Sequence, residues 1–74
     1  PEEFKYLASI ESKKAYINKF VSKDDKGVYS FVGKKPKLKN CYLVIMHFTN
    51  KKLSDSEAEK VAETLLNEAE SFLK

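Results

Sequence analysis

Arginine and tryptophan are absent from this chain of 74 residues, and cysteine, histidine and methionine occur once each, as Cys41, His47 and Met46. Each scarcity removes a class of chemistry. A single cysteine allows no internal disulfide and no cysteine-based metal cluster within one chain. A lone thiol in an apolar strand reads as a small core residue in a reduced setting, so an intracellular, cytoplasmic protein is expected. Cys41 and His47 fall on the same side of an extended segment but about 20 Å apart, too far for a nucleophile–base pair. His47, between Met46 and Phe48, reads as a structural histidine. The lack of arginine removes the planar fork that normally grips phosphates and bases in two-pronged fashion.

Glycine and proline are also scarce, at two residues each. That composition suits a folded chain better than a disordered one. Gly27 and Gly33 do not form a phosphate-cradling loop, and neither GxxxxGK[ST] nor GxGxxG occurs. No apolar run approaches about 18 residues, so no membrane-spanning helix is expected. No secretory leader is evident either. Pro1 is the kind of residue that removal of an initiator Met exposes, and a complete chain is the expectation. No acid is placed in the strands for acid–base work. Asp55, Glu59, Glu63 and Glu70 read as a solvated helix face without metal-ligand spacing. A non-enzyme is expected, with no cofactor, no metal, no membrane association and no small-molecule substrate.

What the chain does contain is organised around Asn40–Thr49. This uncharged run is rich in β-formers and flanked by lysines, and it reads as a central strand. Its two faces are Cys41/Leu43/Ile45/His47 and Tyr42/Val44/Met46/Phe48. Val28–Val32 is a second strand, with faces Val28/Ser30/Val32 and Tyr29/Phe31. Ser54, Asp55, Ser56 and Glu57 form a capping box. Ala58, Val61, Ala62, Leu65, Leu66, Ala69, Phe72 and Leu73 then recur at the spacing of an amphipathic helix. Pro1, Glu2 and Glu3 suit a helix start. Phe4, Leu7 and Ala8, then Tyr16, Ile17, Phe20 and Val21, continue a helical pattern over residues 2–22, either unbroken or kinked near Ser9–Ser12.

The expected fold is a single α+β domain spanning residues 1–74, of order helix–strand–strand–helix. An antiparallel hairpin, with room for a third short edge strand in residues 23–40, would pack on two helices as a two-layer sandwich. This order resembles the double-stranded-RNA-binding domain and the small α/β subunits of the signal recognition particle. The former family implies three strands and a Lys-Lys-x-Ala-Lys signature opening its last helix. Here that place reads Asp55-Ser56-Glu57-Ala58-Glu59-Lys60, with the charge reversed, so no phosphate-binding residues carry over.

Two features bear on function. The central strand is apolar on both faces, yet a two-layer domain covers only one. Either the two helices lie on opposite faces and cover both, or Tyr42, Val44, Met46 and Phe48, beside Tyr29 and Phe31, form a candidate protein-interaction surface. A regulator or inhibitor type of module is expected, acting as a homodimer or docking on a larger protein. The second feature is charge. Residues 1–53 carry twelve Lys and five acids, a net of +7, whereas residues 54–74 carry two Lys and six acids, a net of −4. Lys34, Lys35, Lys37, Lys39, Lys51 and Lys52 are the candidate nucleic-acid contacts, with sheet aromatics as stacking groups. Hence nucleic acid is the alternative partner. The acidic helix as a nucleic-acid mimic is a third reading.

Overall fold

The computed structural model describes residues 3–35 and 40–72. Four strands precede one helix: β1 (Phe4–Glu11), β2 (Ala15–Ser22), β3 (Gly27–Gly33), β4 (Val44–Thr49) and α1 (Asp55–Ser71). The strands form one antiparallel sheet in the order β1-β2-β3-β4, so each connection joins neighbours. The helix lies on one side. The molecule is a small β-rich α+β domain, and the expected helix–strand–strand–helix order with two helices is overturned.

The correction falls on the helix expected over residues 2–22: residues 4–22 form β1, a turn and β2 instead. Tyr16/Phe20 and Ile17/Val21 are pairs four apart, and residues four apart share a face in a strand as well as in a helix. The stripe therefore fits both periods. β-branched and aromatic residues decide for strand. The turn between β1 and β2 carries no glycine, proline or asparagine to mark it. It is closed by Ser12 alone, whose backbone N–H donates to the Ala15 carbonyl at 2.8 Å while its hydroxyl oxygen accepts from the Ala15 N–H at 3.1 Å.

The turn into β3 is likewise not built as its glycine suggests. Asp25 takes the left-handed position, at φ 63°, and the Ser22 carbonyl accepts from the Asp25 N–H. Gly27 belongs to the strand. Residue Asn40, at φ 62°, turns the chain towards β4; Asn tolerates this region better than most residues.

The helix forms where its sequence signals place it. Ser54 caps it, with reciprocal bonds to Glu57: the Ser54 hydroxyl accepts from the Glu57 N–H, and the Glu57 carboxylate accepts from the Ser54 N–H. That backbone bond, and Lys51 beside it, hold the Glu57 carboxyl below its ordinary value of 4.5. A carboxylate lowered in the folded state stabilises above its unfolded pKa, and that contribution is lost as pH falls through the folded value. Glu57→Gln should therefore narrow the difference in urea midpoint between pH 7 and pH 3. An unchanged difference would assign the acid sensitivity elsewhere.

The core is one layer between sheet and helix. Ala15, Ile17, Tyr29 and Phe31 from the sheet meet Ala58, Ala62 and Leu66 from α1. Ala58 and Ala62, one turn apart, make a flat strip that lets the helix approach the large Ile17 and Phe31 side chains. Its course is fixed at its start by two contacts. Lys19 on β2 donates to Asp55 at 2.5 Å, and the Tyr29 hydroxyl accepts from the Leu53 N–H at 2.6 Å, just before the helix begins. Further along, Leu66 lies against Gly33. Thus α1 lies over β2 and β3, at the centre of the sheet. His47 sits on this side too, its ring 6.0 Å from Phe31 and 6.4 Å from Tyr29.

Candidate functional site

With one helix and one sheet among the described residues, the opposite face of the sheet has no covering layer formed by them. Pairing register sets what it displays. Tyr6, Phe20, Val28 and Phe48 form one row across the four strands; Ser9, Asn18, Ser30 and Met46 form the next; Glu11, Tyr16, Val32 and Val44 form a third. The first row is wholly apolar or aromatic, with the Tyr6 and Phe20 rings in edge contact at 5.6 Å. A polar line follows: the hydroxyls of Tyr6 and Ser9 are bonded at 2.7 Å, and Ser9 donates to the Asn18 carbonyl oxygen at 2.6 Å.

The face is concave. Phe4 and Phe48 come from the two edge strands, yet their rings lie 6.3 Å apart. Three strand spacings in a flat sheet would separate the strands by about 14 Å. The rings close over Val28, which is only 2% exposed although it belongs to the helix-free face. Around this clasp Phe4, Ser22, Lys26, Val28 and Phe48 line a shallow cleft. Away from it the face opens: Val44 is 55% exposed and Met46 50%.

Charge gathers at the far end. Lys13, Lys14, Lys34 and Lys35 share a recess with Glu70. Lys34 pairs with Glu11 and lies over the Tyr16 ring, 5.0 Å from its centroid. At the other end the lysines are matched by acids: Lys51 with Glu57 at 3.4 Å, Lys52 with Asp25 at 2.8 Å and Lys23 with Glu3 at 3.3 Å.

The sequence-derived candidates thus part company. Tyr42, Val44, Met46 and Phe48 are all exposed, with the last three in one line on the open face. Tyr29 and Phe31, at 3% and 0% exposure, point under the helix, because Val28, not Tyr29, stands opposite Phe48. Lys34 and Lys35 lie at the basic end and Lys51 and Lys52 at the opposite one, while Lys37 and Lys39 fall outside the described residues. Cys41 is exposed, against the expectation of a core residue. Sequence reasoning missed Phe4, Tyr6, Tyr16 and Phe20. The signal was the β-propensity of residues 4–22, from which alternating residues line up with Val44, Met46 and Phe48.

No group of three histidine, cysteine or acidic side chains is placed to hold a metal ion among the described residues. Among them, too, no helix is long and apolar enough to cross a membrane. No known protein family matches the sequence, and no curated protein or solved structure matches it either.

Proposed function

We propose that the chain is a non-catalytic protein-interaction module that binds through the concave, helix-free face of its sheet. The observation that supports this is the exposure of Phe4, Tyr6, Val44, Met46 and Phe48 on one face, with charged side chains kept to its margins. An apolar centre with a polar rim is the anatomy of a protein interface. Aromatic residues at such a centre carry most of the binding energy. Concavity selects the partner's shape. A second concave face would touch only at its rim, whereas a convex apolar element fills the trough. The partner is then a larger protein presenting such an element, as a regulator or inhibitor would require.

A second reading has one observation in its favour. Lys34 stacked on Tyr16, with Lys13, Lys14 and Lys35 nearby, places cations beside a ring at one end of the same face. Single-stranded nucleic acid uses such pairs of stacking and phosphate contact.

Selection of peptides from a random library, followed by titration of the best binders and of single-stranded oligonucleotides, separates the two. Apolar peptides should bind, and Tyr6→Lys should weaken them at least about 30-fold, the effect of losing a hot spot. Salt should matter little. Oligonucleotide binding that falls steeply with salt and with Lys34→Ala, in the absence of peptide binding, would replace the protein-interaction reading with the nucleic-acid one.

A further inference from the structure

The two edges of the sheet differ. Strand β1 carries Lys5 and Glu11 near its ends and breaks register between Tyr6 and Ala8, leaving Leu7 as a bulge. Charges and bulges are the devices that keep an edge from pairing with another chain. Strand β4, at the opposite edge, reads Val-Ile-Met-His-Phe-Thr. It has no lysine, no acid, no proline and no break in register.

Hydrogen-bond parity shows what this edge offers. The Gly33 N–H donates to the Leu43 carbonyl at 2.9 Å. Bonding alternates along an antiparallel ladder, so Ile45, His47 and Thr49 also turn their backbone groups towards β3. Those of Val44, Met46 and Phe48 point outwards, and among the described residues no backbone bond occupies them.

We infer that β4 pairs antiparallel with β4 of a second copy across a two-fold axis at Met46, making one eight-stranded sheet. This register places Met46 opposite Met46 of the other copy and Val44 opposite its Phe48. All three outward-facing residues then exchange both bonds, about six in total, which no other two-fold register of this strand achieves. Val44 and Phe48 form an aromatic–β-branched pair of the kind that stabilises neighbouring strands. Continuing outwards, Tyr42 meets Asn50 and Cys41 meets Lys51, so no like charges face each other.

A second copy fits this edge better than an open series of copies. Pairing of β4 with β1 would be head-to-tail and would propagate into a fibre. The bulge and charges of β1 oppose it, whereas β4 with itself closes after two copies. The two helices would lie on one side and the two concave faces would merge on the other. The inference concerns the strand edge and stands apart from what the concave face binds.

Oxidative cross-linking tests it. In a Cys41→Ser background, Met46→Cys and Ser30→Cys are compared as purified full-length chains. Met46 and Ser30 are neighbours on the same face. Edge pairing brings position 46 to about 5.5 Å from its twin, within disulfide reach, and leaves position 30 about 14 Å from its own, out of reach. Met46→Cys should form covalent dimer at least about tenfold faster than Ser30→Cys. Light-scattering mass should also show a dimer for the natural chain and a monomer for Met46→Pro, a change that an edge strand tolerates when its N–H faces outwards. Equal cross-linking at position 30 would show face-to-face packing and overturn the proposal. So would a monomer with no cross-link at either position. Neither result bears on Tyr6→Lys and peptide binding, which tests the face separately.

Discussion

Phe31→Ala should cost about 3–5 kcal/mol, whereas Phe48→Ala should cost little. The two phenylalanines lie on neighbouring strands and share a chemistry. They differ in which way they point. Phe31 is fully buried in one cluster with Ile17, Ala58, Ala62 and Leu66, so loss of its ring leaves a cavity in the core. Small domains hold only about 5–15 kcal/mol in total, so this one change removes a large share and can leave the chain unfolded. Phe48 is 61% exposed and meets Phe4 across the open face. Urea unfolding followed by far-ultraviolet circular dichroism measures both. Equal losses would mean that the two faces of the sheet had been assigned wrongly.

The glycines give the second large contrast. Replacing a strand glycine by alanine usually stabilises, by about 0.5–1 kcal/mol, because alanine has less freedom to lose. Gly27→Ala should do the opposite. A Cβ there would stand 2.8 Å from the Tyr29 ring, 3.0 Å from the Lys51 carbonyl oxygen and 3.2 Å from the Thr49 methyl. The ring cannot swing away freely, since its hydroxyl accepts from the Leu53 N–H. Overpacking of this kind costs about 1–3 kcal/mol. At Gly33 the nearest atoms are 3.7 Å away, an ordinary contact, and neither glycine has positive φ. Gly33→Ala should therefore be neutral or mildly stabilising. Matched thermal melts of the two variants decide the matter, and a loss at Gly33 as large as that at Gly27 would defeat the steric explanation.

Some of this fold was legible in the residues. The helix was, because Ser54 and Glu57 mark its start and its apolar positions recur without interruption. The strand at Val28–Val32 was, because the run does not fit a helical stripe; the run Asn40–Thr49 is a strand only from Val44, and at the edge of the sheet instead of its centre. Residues 2–22 misled because four-residue spacing is common to helix and strand, and because Ser12-Lys13-Lys14 holds no glycine, proline or asparagine to mark the turn that Ser12 closes. That error passed directly to the site. Half of the open face comes from β1 and β2, so Phe4, Tyr6, Tyr16 and Phe20 could not be placed on it. The exposure of Val44, Met46 and Phe48 followed from one helix layer covering one face. The position of Tyr29 and Phe31 did not, since the register of β3 against β4 depends on the loop between them, and a one-residue slip exchanges the faces.

The alternation of side chains along each strand has a consequence for how this protein can change. Inward positions such as Ile17, Tyr29 and Phe31 are constrained by packing against α1, while alternate positions such as Asn18 and Ser30 face the trough and whatever it meets. Ser30 sits between two buried rings, yet its own side chain belongs to the other surface. Apart from Val28, which is buried under the Phe4–Phe48 clasp, every second residue of the sheet can therefore be rewritten to suit a new partner with little effect on the fold, and a designer could treat the helix-free side as a writable template carried on a fixed frame.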